Sequence, residues 1–142
     1  MYSARNIAQY IIEYESNMQR PVSNLRLQKL LYFVQAQSLV SLNSPCFDDD
    51  IEAWDFGPVV PNVYQQYKIF GSSIIPCDFT HSILEHISST IKKAINSMLD
   101  ICAQYTTSQL VEITHHQDPW INAYGKFDNR ITPEAIAEYY KN

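Results

Sequence analysis

The 142-residue sequence predicts a mainly α-helical, single compact domain of six or seven helices, with at most a short extended segment or small β element around residues 51–56. Apolar residues make up 46% of the chain and recur at spacings of three and four through most of it, which is the period of a helix face. Residues that cap helices precede several of these stretches. No internal repeat, low-complexity tract or linker divides the chain, so we expect residues 1–142 to form one domain.

Two helices are predicted at the start of the chain. Ser3 is suited to cap the first, which extends to about residue 17, and Pro21 follows it because proline cannot continue a helix. Ser23 caps the second. The apolar face of the first helix consists of residues three or four positions apart: Ile7, Tyr10, Ile11 and Tyr14.

The second helix is apolar nearly all round between Leu27 and Val34, which predicts a central helix packed from several sides. Lys29 and Tyr32 share one of its faces. We expect the Lys29 side chain to lie along the core with its ammonium group in water. A rarer alternative is an ion pair with a carboxylate such as Glu52 or Asp55.

The stretch IEAWDFGPVVP, residues 51–61, differs from its helical surroundings. It holds one of the two tryptophans, one of the three glycines and two of the seven prolines. The alternation in IEAWDF favours a short strand, Gly57 and Pro61 favour a fixed bend, and the following NVYQQYKIF reads as a helix that stops at Gly71.

Further helices are predicted in the second half of the chain. The longest is expected to open at Thr80 or His81, and another near Thr106, which can form a capping box with Gln109. Asp118–Pro119 and Thr132–Pro133 each place a capping residue before a proline at the first helical position. The predicted longest helix has an apolar face formed by Leu84, Ile87, Ile91, Ile95, Met98 and Cys102.

Charge, cysteine content and hydropathy narrow the class of protein. A net charge of −5 argues against a nucleic-acid partner, which requires a basic surface. Cys46, Cys77 and Cys102 are odd in number and far apart, which suits a reducing cytoplasm. The chain shows no signal peptide and no apolar run long enough for a membrane span. We therefore expect a cytoplasmic location.

The sequence offers little for catalysis or cofactor binding. Its three glycines are dispersed, so no phosphate-binding loop is present. His115 and His116 are neighbours that would face different ways on a helix, and no metal-ligand spacing occurs. We expect no cofactor, no metal and no enzymatic activity. The alternative is acid–base chemistry by one of these histidines with Asp118.

Three passages carry a resemblance to a known family: SNLRLQKLLYFVQA, FDDDIEAWDFGPVVPNVYQQYKIFG and LVEITHHQDPW. In this order and spacing they resemble the Panacea domain, found in SocA-like antitoxins and prophage-associated GepA-like proteins. The resemblance covers nearly the whole chain, and its most specific parts are LQKLLYF, residues 27–33, and EAWDFGPVVPNVY, residues 52–64.

The resemblance implies an antitoxin of a type II-like toxin–antitoxin pair, whose partner is a toxin encoded by an adjacent gene. Neutralisation in this family is usually by direct protein–protein binding. One branch instead acts as an adaptor that delivers its toxin to an ATP-dependent protease, and this alternative stays open.

The rigid stretch around residues 54–67 is the predicted toxin-binding surface, because a ring held on a fixed backbone loses little freedom on binding. Its candidate residues are Trp54, Phe56, Pro58, Val59, Val60, Tyr64 and Tyr67. The competing interpretation is that Trp54 and Phe56 fill the core. A charged residue at position 60 or 64 should abolish binding without unfolding the protein if the surface interpretation holds. The residues expected to fix the structure are Lys29, Tyr32, Gly57, Pro61, Asp118 and Trp120.

Overall fold

A computed structural model describes residues 1–142 and confirms the mainly α-helical fold class. Three single-turn 3-10 helices, at Lys68–Phe70, Phe79–His81 and Leu84–His86, lie between the longer elements. The chain order of the α-helices and strands is α1 (Ala4–Asn17), α2 (Asn24–Leu42), β1 (Ile51–Trp54), β2 (Gly57–Val59), α3 (Pro61–Tyr67), α4 (Ser89–Cys102), α5 (Thr107–His115), α6 (Asp118–Ala123), β3 (Arg130–Ile131) and α7 (Pro133–Lys141).

Helix α2 is the centre of the molecule, as predicted. It contacts α1, α3, α4, α5, α7 and β2, and its residues from Leu27 to Ala36 are all buried. A helix covered on every side has no free polar face, so any polar side chain on it must find a partner inside the protein. None of the helices is both long enough and apolar enough to cross a lipid bilayer.

The predicted helix caps are confirmed at four positions. The side chains of Ser3, Ser23 and Thr132 each accept the backbone N–H of the residue three positions later. Thr106 does the same and its partner Gln109 accepts the Thr106 N–H in return, which completes the capping box. These bonds satisfy N–H groups that a helix start would otherwise leave without acceptors.

The small β element is an antiparallel sheet in the order β2-β1-β3. Strands β1 and β2 form a hairpin in which Trp54 faces Gly57, and β3 pairs Ile131 with Ile51 on the other side of β1. The strand around residues 51–56 was predicted, but β2 and β3 were not. Two or three residues are too few to show a period, so β3 is identified only through its long-range pairing.

The prediction of a longest helix opening at Thr80 or His81 is wrong. Helix α4 begins at Ser89 with Ser88 as its cap, and the longest helix is α2 with 19 residues. The buried Glu13 carboxylate of α1 explains the difference, because it accepts the Ser82 hydroxyl at 3.0 Å and the Ile83 N–H at 3.2 Å. This tertiary contact holds the segment before α4 in two 3-10 turns.

The expected capping role of Asp118 is also wrong. Asp118 is the first residue of α6, and the N-cap position is Gln117, which makes no side-chain capping bond. Instead, the buried side-chain Oε1 of Gln117 accepts the Tyr32 hydroxyl at 2.7 Å and the Tyr140 hydroxyl at 3.0 Å. Pro119 sits in the first turn as predicted, where its missing N–H costs no bond.

Candidate functional site

The β1–β2 hairpin closes tightly over the middle of α2, and only glycine fits at its inner corner. Gly57 has φ +104°, a backbone conformation that other residues rarely adopt. A Cβ atom there would lie 2.7 Å from Thr114 Oγ1 and 3.1 Å from Lys29 Nζ. The predicted structural role of Gly57 therefore has two causes, its dihedral angle and the approach of the hairpin to α2 and α5.

Lys29 lies fully buried beneath this corner, and its Nζ donates a hydrogen bond to the Pro58 carbonyl. The expectation of a solvent-exposed ammonium group is wrong, and so is the alternative pairing with Glu52 or Asp55. Burial lowers the pKa of Lys29 to about 7, because the charged form loses its hydration. The Lys29 side chain therefore supports the hairpin from below through its bond to the Pro58 carbonyl.

Two amide side chains of α2 hold the outgoing end of the hairpin. The Val60 N–H donates to Gln28 Oε1 at 2.9 Å, and Gln28 Nε2 donates to Asn24 Oδ1 at 2.9 Å. Asn24 Nδ2 in turn donates to the Tyr64 carbonyl at 3.2 Å. The chain from the second strand into α3 is therefore fixed by hydrogen bonds to one helix, and α3 begins at Pro61, one residue before the predicted NVYQQYKIF.

The loop before the hairpin is held in the same way by side chains about two to three turns further along α2. Gln35 accepts the Cys46 N–H at 2.7 Å and donates to the Phe47 carbonyl at 2.9 Å, and Ser38 donates to the Ser44 carbonyl at 2.7 Å. Sequence reasoning missed these polar supports. The available signal was the recurrence of Gln, Lys and Gln within an otherwise apolar, central helix.

Helices α5 and α6 hold the turn of the hairpin from its outer side. Trp120 Nε1 donates to the Trp54 carbonyl at 2.8 Å, and a ring nitrogen of His115 lies 3.0 Å from the Asp55 carbonyl. The Tyr124 hydroxyl donates to Asp55 Oδ1 at 2.6 Å, and this carboxylate raises the pKa of Tyr124. The Tyr124 ring stacks on Trp120 with a centroid distance of 4.4 Å, and the His115 ring lies 4.3 Å from Trp120 at a tilt of 35°.

The candidate binding residues divide into exposed and buried groups. Phe56, at the tip of the hairpin, is 65% exposed, and Trp54 and Tyr64 are half-buried with their rings 5.0 Å apart. Tyr67 is half-buried and packs against the core. The other three candidates, Pro58, Val59 and Val60, were expected to be exposed. That expectation is wrong, because all three are buried.

Strand alternation holds in β1, whereas β2 is buried along its whole length. Ala53 is 3% exposed, so Trp54 lies on the outward side of β1. The competing core interpretation is wrong for the exposed Phe56, and Trp54 is half-buried outside the main core cluster. Val60 is 1% exposed and part of the main core cluster. Its side chain cannot reach a partner while the protein is folded.

A groove of about 650 Å³ lies beside the exposed residues. Besides the hairpin, its lining includes side chains that sequence reasoning missed, among them Leu25 from α2, Lys68 after α3 and Tyr124 after α6. The turn after Tyr124 carries Phe127, whose side chain is fully exposed. The apolar and aromatic residues of the groove are Leu25, Ala53, Trp54, Phe56, Val59, Tyr64 and Tyr124.

The structure also places the residues of the catalytic alternative. A ring nitrogen of His115 contacts the Asp55 carbonyl, and Nδ1 of His116 lies 2.9 Å from the Glu112 carbonyl. Asp118 is exposed at the start of α6. No three His, Cys, Asp or Glu side chains are grouped as metal ligands. The ring of His115 has a positioning role in the hairpin that accounts for its contacts.

Comparison with known proteins identifies the family. Residues 27–121, which include the hairpin and most of its supports, match the family model for the antitoxin SocA-like Panacea domain. The chain is 35% identical over 127 residues to Antitoxin SocA of Caulobacter vibrioides (strain NA1000 / CB15N), an alignment that covers 82% of this chain and 68% of that protein. No solved structure matches it significantly. The chain therefore belongs to the SocA-like antitoxin family that carries the Panacea domain.

Proposed function

We propose that this protein is an antitoxin that neutralises a toxin encoded by an adjacent gene, and that it does so by binding the toxin directly. The observation that carries the proposal is the 35% identity to an antitoxin over most of both chains. A neutralising protein needs a stable contact surface and no reactive group, so we also propose that the domain has no enzymatic activity. The net charge of −5 supports a protein partner in preference to nucleic acid.

The geometry of the hairpin supports direct binding. Buried bonds from α2 and outer bonds from α5 and α6 fix the backbone on both sides of the turn. Phe56 projects from this fixed turn with 65% of its surface exposed. Because the backbone is already ordered, docking the ring adds no cost for ordering the turn, which favours tight binding.

The cytoplasm is the proposed compartment of the complex. Cys46 and Cys102 are buried free thiols and Cys77 is a half-buried one. Burial raises the pKa of the Cys46 and Cys102 thiols to about 12, which keeps them protonated and unreactive. Three unpaired thiols suit a reducing environment.

Co-expression tests the proposal. We expect the neighbouring gene to stop growth when induced alone, growth to return when this chain is induced with it, and the two purified proteins to form a complex. The same assay in a strain lacking its major ATP-dependent proteases separates the mechanisms, since direct binding rescues growth there and an adaptor does not. A neighbour that is harmless alone, or rescue without a complex, contradicts the proposal.

A further inference from the structure

We propose that the toxin-binding surface has two aromatic anchors, Phe56 and Phe127, and that the toxin meets them with apolar pockets surrounded by basic side chains. This inference rests on the proposed function and specifies the surface and the chemistry of the partner. Phe56 is 65% exposed and the Phe127 side chain is fully exposed, so neither contributes to the core. Large aromatic side chains that are exposed on ordered turns are typical anchors of protein interfaces.

The two turns that carry these rings are joined side by side. The Tyr124 hydroxyl donates to Asp55 Oδ1 at 2.6 Å, directly before Phe56 in the chain. The Ala53 N–H donates to the Asn129 carbonyl at 2.8 Å, two residues after Phe127. Phe56 and Phe127 therefore project from one continuous region, next to the groove already described.

The second turn is ordered by its own contacts. Gly125 adopts φ +78°, and the Lys126 N–H bonds to the Ala123 carbonyl at 3.2 Å. On the far side, Arg130 Nε bonds to Asp128 Oδ1 at 2.9 Å. Together with the bond from Ala53 to the Asn129 carbonyl, these contacts order the backbone on both sides of Phe127, so docking its ring restricts little of the turn.

The charge distribution favours a basic partner at this surface. The sheet side, defined as residues 43–72 and 105–142, contains ten acidic and four basic side chains, a net charge of −6. The remaining residues contain five acidic and six basic ones, a net charge of +1. The whole negative charge of the protein is therefore concentrated in the stretches that supply the strands and the two anchors. A basic rim on the toxin would complement it and accelerate association.

The partner surface is expected to be folded rather than an added strand. Pro58 in the edge strand β2 has no N–H, and its carbonyl already accepts a bond from Lys29. The next N–H that faces away from β1 is that of Val60, and it already donates to Gln28. With these groups occupied, side chains and not backbone pairing must provide the contacts at this edge.

Binding measurements on the purified 142-residue chain and the neighbouring toxin test the anchors. We expect Phe56→Ala and Phe127→Ala each to weaken the affinity on the order of 10-fold or more, with melting temperatures unchanged. The matched control is Phe79→Ala, a ring that is 56% exposed outside the sheet side. This control is expected to stay within about 2-fold of the wild type.

Charge variants test the basic rim independently of the rings. Asp48→Asn with Asp50→Asn removes two exposed charges from the sheet side, and Glu85→Gln removes one elsewhere. We expect the double variant to slow association about 3-fold or more at about 0.05 M salt and hardly at all at about 0.5 M salt, since exposed charges are screened. The Glu85 variant should associate at the wild-type rate.

The outcomes separate this inference from the proposed function. If the wild type binds and neutralises the toxin but Phe56→Ala and Phe127→Ala bind as tightly as Phe79→Ala, the two-anchor surface is wrong and the antitoxin role stands. If the association rate of the wild type does not depend on salt, the proposed basic rim on the toxin is wrong and the two anchors stand. If the wild type does not bind the neighbouring protein, the proposed function and this inference are both overturned.

Discussion

Lys29 shows how burial changes the role of a single ionisable residue. Its ammonium group has no carboxylate partner, and burial lowers its pKa from 10.5 to about 7. Between these two values the unfolded chain holds a proton that the folded protein does not. The free energy of unfolding therefore rises with pH across that window, by up to about 1.4 kcal/mol per pH unit.

We predict that Lys29→Met removes this rise. Urea unfolding of the wild type should show increasing stability from about pH 7 to about pH 8.5, and the variant should lack that increment. The range stops below the ordinary thiol pKa of 9.0, because the buried Cys46 and Cys102 begin to oppose the trend there. Parallel pH profiles for the two proteins would show that Lys29 keeps its normal pKa.

Gly57 combines a left-handed φ with a close contact, and these two effects can be measured separately. We predict that Gly57→Ala lowers the free energy of unfolding by about 2–4 kcal/mol, from backbone strain plus the approach of the new Cβ to Thr114 Oγ1. Gly125→Ala is the matched control, since it has φ +78° and no atom within 4 Å of its Cβ position. It should lose only about 1 kcal/mol in the same urea titration. Equal losses of unfolding free energy in the two variants would exclude a contribution from the contact between the new Cβ and Thr114 Oγ1.

The residues around the hairpin also show where sequence reasoning stops. The rigidity of the bend followed from Gly57 and its neighbouring prolines. The burial of Val60 did not, because Val60 lies between β2 and α3, where neither the strand period nor the helix period applies. Its position is fixed instead by Gln28, which accepts the Val60 N–H from a helix 32 positions away in the chain.

At the scale of elements, the hairpin owes its position to helices that contact it through side chains. Trp120 contributes both a stacked ring and a hydrogen bond to the Trp54 carbonyl. We predict that Trp120→Phe, which keeps the ring and removes the bond, costs about 1 kcal/mol and increases amide exchange within residues 51–60.

The control for this prediction is the other tryptophan. Trp54→Phe also removes an indole N–H, but that group bonds to the partly exposed Glu52 carboxylate at 2.9 Å. Water can replace this acceptor, so exchange in the hairpin should change little. If both variants loosen the hairpin equally, the aromatic rings and not the Trp120 hydrogen bond hold the turn.

The elements that could be predicted are those with a local signal. Helix starts at Ser3, Ser23, Thr106 and Thr132 were found from their caps, because a cap and its N–H partner are three residues apart. The two 3-10 turns before α4 depend instead on Glu13, and β3 depends on β1. Such contacts between distant residues leave no period in the sequence.

At the scale of the whole molecule, the last helix decides whether residues 1–142 behave as one domain. Helix α7 packs on α2, and its Ile136 is fully buried. The hydroxyls of Tyr140 and of Tyr32 in α2 also donate to the same acceptor, the side-chain Oε1 of Gln117. Because α7 completes the core on one side of the central helix, we propose that it unfolds together with the rest.

Unfolding measured by two probes tests this proposal. Trp54 and Trp120 both lie at the hairpin, so tryptophan fluorescence reports on the sheet side, whereas circular dichroism reports on all helices. We predict coincident urea transitions for the full chain, as expected of a single cooperative unit. Deleting residues 132–142 should lower the free energy of unfolding by more than about 3 kcal/mol, given the loss of Ile136 and its neighbours from the core. Deleting only Lys141 and Asn142 removes the exposed bond from Lys141 to Asn43 and should change stability by less than about 0.5 kcal/mol. Separate midpoints for the two probes in the full chain would mean that the region around Trp54 and Trp120 unfolds independently of the other helices.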